Sequence, residues 1–146
     1  MKPLHFLATA LLATTVGTSL ACGGGDPYTP ERIAQVERDG QVDFPDNATD
    51  FEYEASYGLD FLLQARFKLP ENDVEVWVDA EGFSLHAPDM SYFGAAAPAW
   101  WDPSLPPGSQ TDSQPAVGDS ATRSVKVQPA DEPGWVWVYY QYLETS

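Results

Sequence analysis

Ser84, His86 and Asp89 place a hydroxyl, an imidazole and a carboxylate in one short stretch, the three groups of nucleophilic acyl transfer. Their closeness along the chain argues against that chemistry, because a catalytic triad is defined by geometry in space and neighbours in one loop rarely attain it. His86 reads instead as a loop residue making an ordinary hydrogen bond. The other histidine is His5, far from it in an apolar leader, so no multi-histidine zinc site is expected. The chain has 22 acidic side chains, from which carboxylate pairs for glycoside hydrolysis could be drawn freely, and no pair stands out. Asp39, Asp43, Asp46, Asn47 and Asp50 suggest a calcium loop but lack its alternating ligand spacing, central glycine and terminal glutamate. They read as solvated linker. Gly23 to Gly25 precede no helix that could hold a phosphate. No catalytic residue, metal site or cofactor is therefore expected.

Aromatic residues are the excess that remains, at 13% of the chain. Trp100 and Trp101 lie in a proline-rich segment, and Trp135, Trp137 and Tyr139 alternate along a later one. Two readings are open for this group. They form a stacking platform for a glycan or a patch for a protein partner, since Trp and Tyr are enriched at binding hot spots. Alternatively they fill the core, as a small domain without disulfides requires.

Cys22 is the only cysteine, which excludes an intramolecular disulfide and a metal-thiolate cluster. It follows Lys2, an apolar run from Leu4 to Val16, and Ser19-Leu20-Ala21, and it precedes Gly23-Gly24-Gly25. This segment resembles a bacterial lipoprotein signal. The resemblance implies cleavage after residue 21 and a diacylglycerol thioether on Cys22, with palmitate-type acyl chains holding the protein at a membrane. The triglycine lacks the Asp in second position that retains some proteobacterial lipoproteins in the inner membrane, so the resemblance implies the outer one. Ser19-Leu20-Ala21 also fits an ordinary small-x-small cleavage site, which would release a soluble protein. An uncleaved spanning helix fits poorly, because the apolar run is shorter than the ~20 residues a bilayer needs.

The formal charge is −15 at pH 7. Such a chain is repelled by phosphate backbones and anionic headgroups, which argues against nucleic acid as a partner and leaves membrane contact to the lipid.

Composition divides the chain into a signal at 1–21, a tether at 22–50 and one domain at 51–146. Within the tether, Thr29 as N-cap, Pro30 in the first turn and Gly40 as terminator predict a short helix. Phe51, Tyr53, Ala55 and Tyr57 alternate with polar residues, as do Phe61 to Leu69 after Gly58, which predicts a hairpin with Glu52 and Glu54 against Arg66 and Lys68. Residues 71–81 fit two periods. Helix is favoured, with Val74, Trp77 and Val78 on one face. Prolines exclude long elements from 83–121. Strands then follow at 122–128 and 135–143, the last apolar on both faces and hence central. The expected fold class is α+β: a four-stranded, mainly antiparallel sheet with one helix, in the order β-β-α-β-β, behind a flexible tether. The functional expectation is a lipid-anchored envelope protein that binds a protein or glycan. A small carboxylate-dependent envelope hydrolase and a purely structural envelope protein are the alternatives.

Overall fold

The computed structural model describes residues 28–88, 98–117 and 120–146. The Thr29 hydroxyl accepts a hydrogen bond from the Arg32 amide at 3.4 Å and Pro30 opens the first turn, so α1 (Pro30–Gly40) starts where its capping residues predict. Its end differs in detail. Gln41, at φ 51°, takes the left-handed position, while Gly40 serves close approach: a Cβ there would lie 2.3 Å from Leu63 Cδ2.

Strands β1 (Thr49–Tyr57) and β2 (Phe61–Pro70) form the expected hairpin, with Glu52 opposite Arg66. Helix α2 (Glu71–Ala80) leaves β2 directly and buries Val74, Trp77 and Val78. Three further strands, β3 (Gln110–Pro115), β4 (Ala121–Pro129) and β5 (Trp135–Glu144), complete a sheet of order β1-β2-β5-β4-β3, antiparallel at every pairing. β5 pairs with both β2 and β4 and is central, as its two apolar faces predict.

The α+β class and the antiparallel sheet hold, but the sheet has five strands where four were expected. The additional strand is β3, inside the segment read as irregular. Gln110 to Pro115 has no apolar alternation to betray it, and its strand conformation rests on pairing with β4 at the sheet edge. Among the described residues there are two helices, α1 in the segment read as tether and α2 in the domain. The segment expected to be a solvated tether up to residue 50 contributes Val36, Val42 and Phe44 to the core, at 4%, 6% and 8% exposure. Gln41 fixes it further, its side chain exchanging hydrogen bonds of 2.6 and 2.8 Å with the Val117 carbonyl and amide.

The sheet register sorts its side chains between two faces. Leu63, Ala65, Phe67, Val125, Val138 and Tyr140 line one face, which α1, α2, Phe44 and Phe83 cover to form the main core. Gln64, Arg66, Lys68, Lys126, Gln128, Trp137, Tyr139 and Gln141 line the other.

Candidate functional site

The second sheet face gathers most of the aromatic residues singled out above. Trp137 and Tyr139 on β5 stand opposite Lys68 and Arg66 on β2, and opposite Gln128 and Lys126 on β4. Arg66 Cζ lies 4.4 Å from the Trp137 ring centroid and 5.7 Å from that of Trp100. Lys68 Nζ lies 4.9 Å from Trp137, and Lys126 Nζ lies 4.1 Å from Tyr139. Trp101 meets Tyr139 edge-on at 5.4 Å. Each of these cations sits against an electron-rich ring face, a favourable contact.

Backbone from the segment before β3 closes over this face. Arg66 Nη1 donates to the Trp100 carbonyl at 2.9 Å, and Lys126 Nζ donates to the carbonyls of Asp102 and of Ser104, the latter at 2.9 Å. Gln128 Nε2 donates to Asp102 Oδ2 at 3.2 Å. Hydrogen bonds from Ser104 hold the Asp102 carboxyl below its usual range. Burial pushes the Lys126 ammonium down to about 8, with the neighbouring Asp102 acting in the opposite direction. The Tyr139 phenol is pushed up, chiefly by burial.

Four of the five aromatic residues proposed as a binding surface, Trp100, Trp101, Trp137 and Tyr139, thus form one cluster. Trp135 is half-buried at the start of β5 and lies outside it. The cluster is not a vacant stacking platform. Trp101 and Tyr139 are 5% and 2% exposed, and the Trp100 and Trp137 rings carry the protein's own cations. What the arrangement does is clamp the loop to the sheet.

The Ser84 and His86 segment bridges the outer edge of β3, His86 and Thr111 exchanging backbone hydrogen bonds of 3.0 Å in both directions. Asp89 lies outside the described residues. Asp112 takes the carboxylate position, accepting from the Ser84 amide at 2.7 Å and lying 3.6 Å from His86 Nε2. His86 Nδ1 is 2.8 Å from the Ala87 carbonyl. Both ring nitrogens face oxygen atoms, which suits anchoring the ring to its own loop and to β3. The acidic string disperses too. Asp39 accepts from Tyr57 OH, Asn47 donates to Asp73, and Asp50 pairs with Lys68.

The concave feature is elsewhere. A groove of about 440 Å³ runs between α2 and the ends of β3 and β4. Glu71, Glu75 and Asp79 stand along its α2 wall, Val74, Val78 and Phe83 form its floor, and Gly108, Gln110 and Pro129 lie on the far side. The volume lies within the range typical of ligand sites. Sequence reasoning used Glu71 only as a helix-start charge. The signal for the groove was nonetheless present: three acids four residues apart, on the outer side of a helix whose inner side is Val74, Trp77 and Val78.

Comparison of the chain with protein-family models, with curated proteins and with solved structures finds no match.

Proposed function

We propose that this protein is a cell-envelope lipoprotein, held at the membrane by acylated Cys22, and that it works by binding a partner rather than by catalysis. The leader from Lys2 to Cys22 supports the anchor. The observation that carries the binding reading is the one-sidedness of the groove: its acidic residues, Glu71, Glu75 and Asp79, all belong to α2. A carboxylate-dependent glycosidase needs two acids flanking the scissile bond, at roughly 5 to 9.5 Å. The described residues of the facing wall supply none.

The lead between anchor and domain is short. Tyr28 is packed edge-on against Phe51 at 6.3 Å and Tyr53 at 5.7 Å, so Cys22 can lie at most ~20 Å from it along the chain. Such a lead holds the domain beside the membrane and favours partners at the same surface, rather than the distant ones a tether to residue 50 would serve.

The test is intact mass and membrane partitioning of the protein made in a Gram-negative host, beside Cys22→Ala. The expected wild type is membrane-bound, heavier by its acyl groups, and released by the substitution. An unmodified soluble protein beginning at Cys22 sinks the anchor. Turnover of glycan substrates that is abolished by Glu71→Gln or Glu75→Gln sinks the binding reading.

A further inference from the structure

We propose that the groove beside α2 docks a cationic, helix-forming amphipathic segment of a partner protein; the proposal rests on the binding reading above and names its occupant. Glu71, Glu75 and Asp79 recur every four residues, so they form a row along α2 with a rise of about 6 Å from one to the next. None of them takes part in an ion pair among the described residues. The cations nearby in the fold are committed elsewhere: Arg66 to Glu52, Lys68 to Asp50 and Glu132, Arg123 to Glu81, and Lys126 to loop carbonyls. No described cation pairs with this row, so charge complementarity points to a cationic partner.

The helix adds to the field. Asp79 lies in the last turn of α2, which carries no basic residue, and there the helix dipole already presents its negative end. An acid in that position is mildly unfavourable to the isolated helix and strengthens attraction for a cation. Below the row the groove turns apolar, with Val74, Val78 and Phe83 against Val127 and Pro129.

These features specify the ligand's chemistry. Apolar side chains are needed for the floor, and Lys or Arg at intervals of about 6 Å for the wall. A helix with basic residues at i and i+4 meets both demands, because its rise between them equals that of the carboxylate row. A second copy of this chain does not, since a charge of −15 opposes its approach to an acidic wall.

The test uses the full mature chain carrying Cys22→Ala and a Leu-Lys peptide patterned as an amphipathic helix, with its Leu-Glu counterpart as control. Affinity is read by fluorescence anisotropy and location by amide chemical shifts. The Leu-Lys peptide is expected to bind with shifts concentrated in α2, residues 83–85 and residues 127–129, and the Leu-Glu peptide to fail. Three exposed ion pairs are individually weak and additive only in part, so Glu71→Gln/Glu75→Gln/Asp79→Asn is expected to weaken binding roughly tenfold. The charge-matched Glu31→Gln/Glu54→Gln/Asp60→Asn, none of which lines the groove, is expected to change it less than about twofold. Reversal by Glu71→Lys/Glu75→Lys transfers preference to the Leu-Glu peptide, with thermal melts confirming that each variant folds. Equal weakening by both triple variants, shifts mapping to another surface, or no binding by the Leu-Lys peptide overturns the proposal. So does displacement of the peptide by self-association of the chain or by a single-chain cationic detergent at lower concentration. None of these outcomes touches the membrane partitioning of the wild type, so failure here is separable from failure of the anchored-binder reading.

Discussion

Lys126 gives the fold a pH signature of unusual sign. Its side chain is 0% exposed, with Nζ bonded to two loop carbonyls and set over the Tyr139 ring. Burial lowers its pKa from 10.5 to about 8. In the unfolded chain the same amine titrates near the ordinary lysine value of about 10.4. Between the two values the unfolded chain holds more protons than the folded one, so stability rises with pH across that window. At about 1.36 kcal/mol per pH unit the rise amounts to at most about 3 kcal/mol, reduced by whatever the carbonyl and ring contacts restore to the charged form. Above about pH 10 the sign reverses. Tyr139, Tyr140 and Tyr142 are raised by burial and Lys68 by its bonds to Glu132 and Asp50, so each favours the folded state only while protonated. Stability is therefore expected to peak near pH 10. Urea unfolding followed by tryptophan fluorescence from pH 7 to 11 is the assay. With a slope of about 1 to 3 kcal/mol per M, the wild-type midpoint should climb by roughly 1 to 2 M between pH 8 and 10. Lys126→Met should abolish the climb. A wild-type midpoint that falls over this range, or a climb that survives in Lys126→Met, refutes the reasoning.

Arg123 lies 2.5 Å from Glu81 Oε2 and 4.8 Å from the Phe83 ring centroid, with the Glu81 side chain 9% exposed. Arg123→Met strands that carboxylate and should cost about 3 to 5 kcal/mol at pH 7. Burial already raises the Glu81 pKa above 4.5, so its charged form is the disfavoured one, and the deficit should shrink as pH falls through the folded pKa toward 4. Equal deficits in urea melts at pH 7 and 4 would contradict this. Gly40→Ala drives a methyl into Leu63, which is 0% exposed, and overpacking of this kind costs about 1 to 3 kcal/mol. An unchanged thermal midpoint would show that the α1 and β2 contact yields freely.

Much of the fold could be read from apolar periodicity. In α2 both periods were available to Val74, Val76 and Val78, and the outcome lies in Val76, which is 72% exposed while its two neighbours are buried. A strand would have placed all three on one side. Periodicity failed where pairing or packing alone decides. β3 is a polar edge strand formed by its register with β4. Val42 and Phe44 belong to the core although they stand between Asp, Gln and Pro residues that resemble a linker. For the aromatic group the residues were right and their setting was missed. Arg66 and Lys68 were legible as partners of β1 acids, but their positions over Trp137 follow from the order of strands, which brings β5 beside β2.

That strand order also bears on where a partner can reach. Tyr28 rests on Phe51 and Tyr53 of β1, at one edge of the sheet, so on the proposed anchorage the lead from Cys22 meets the domain there. The groove lies against β4 and α2, and β4 is three strand spacings from β1, roughly 14 Å at about 4.8 Å each. On the proposed anchorage the lead would therefore enter at the β1 edge, and the β4 side of the groove lies away from it. On that anchorage the acidity proposed to attract a cationic segment would also oppose anionic headgroups. A stretch of at most ~20 Å between Cys22 and Tyr28 would, if Cys22 is the anchor proposed, restrict the groove to what is presented close to that surface. Taken together, the two proposals point to a basic helical segment of a protein held at the same membrane as the partner to test first.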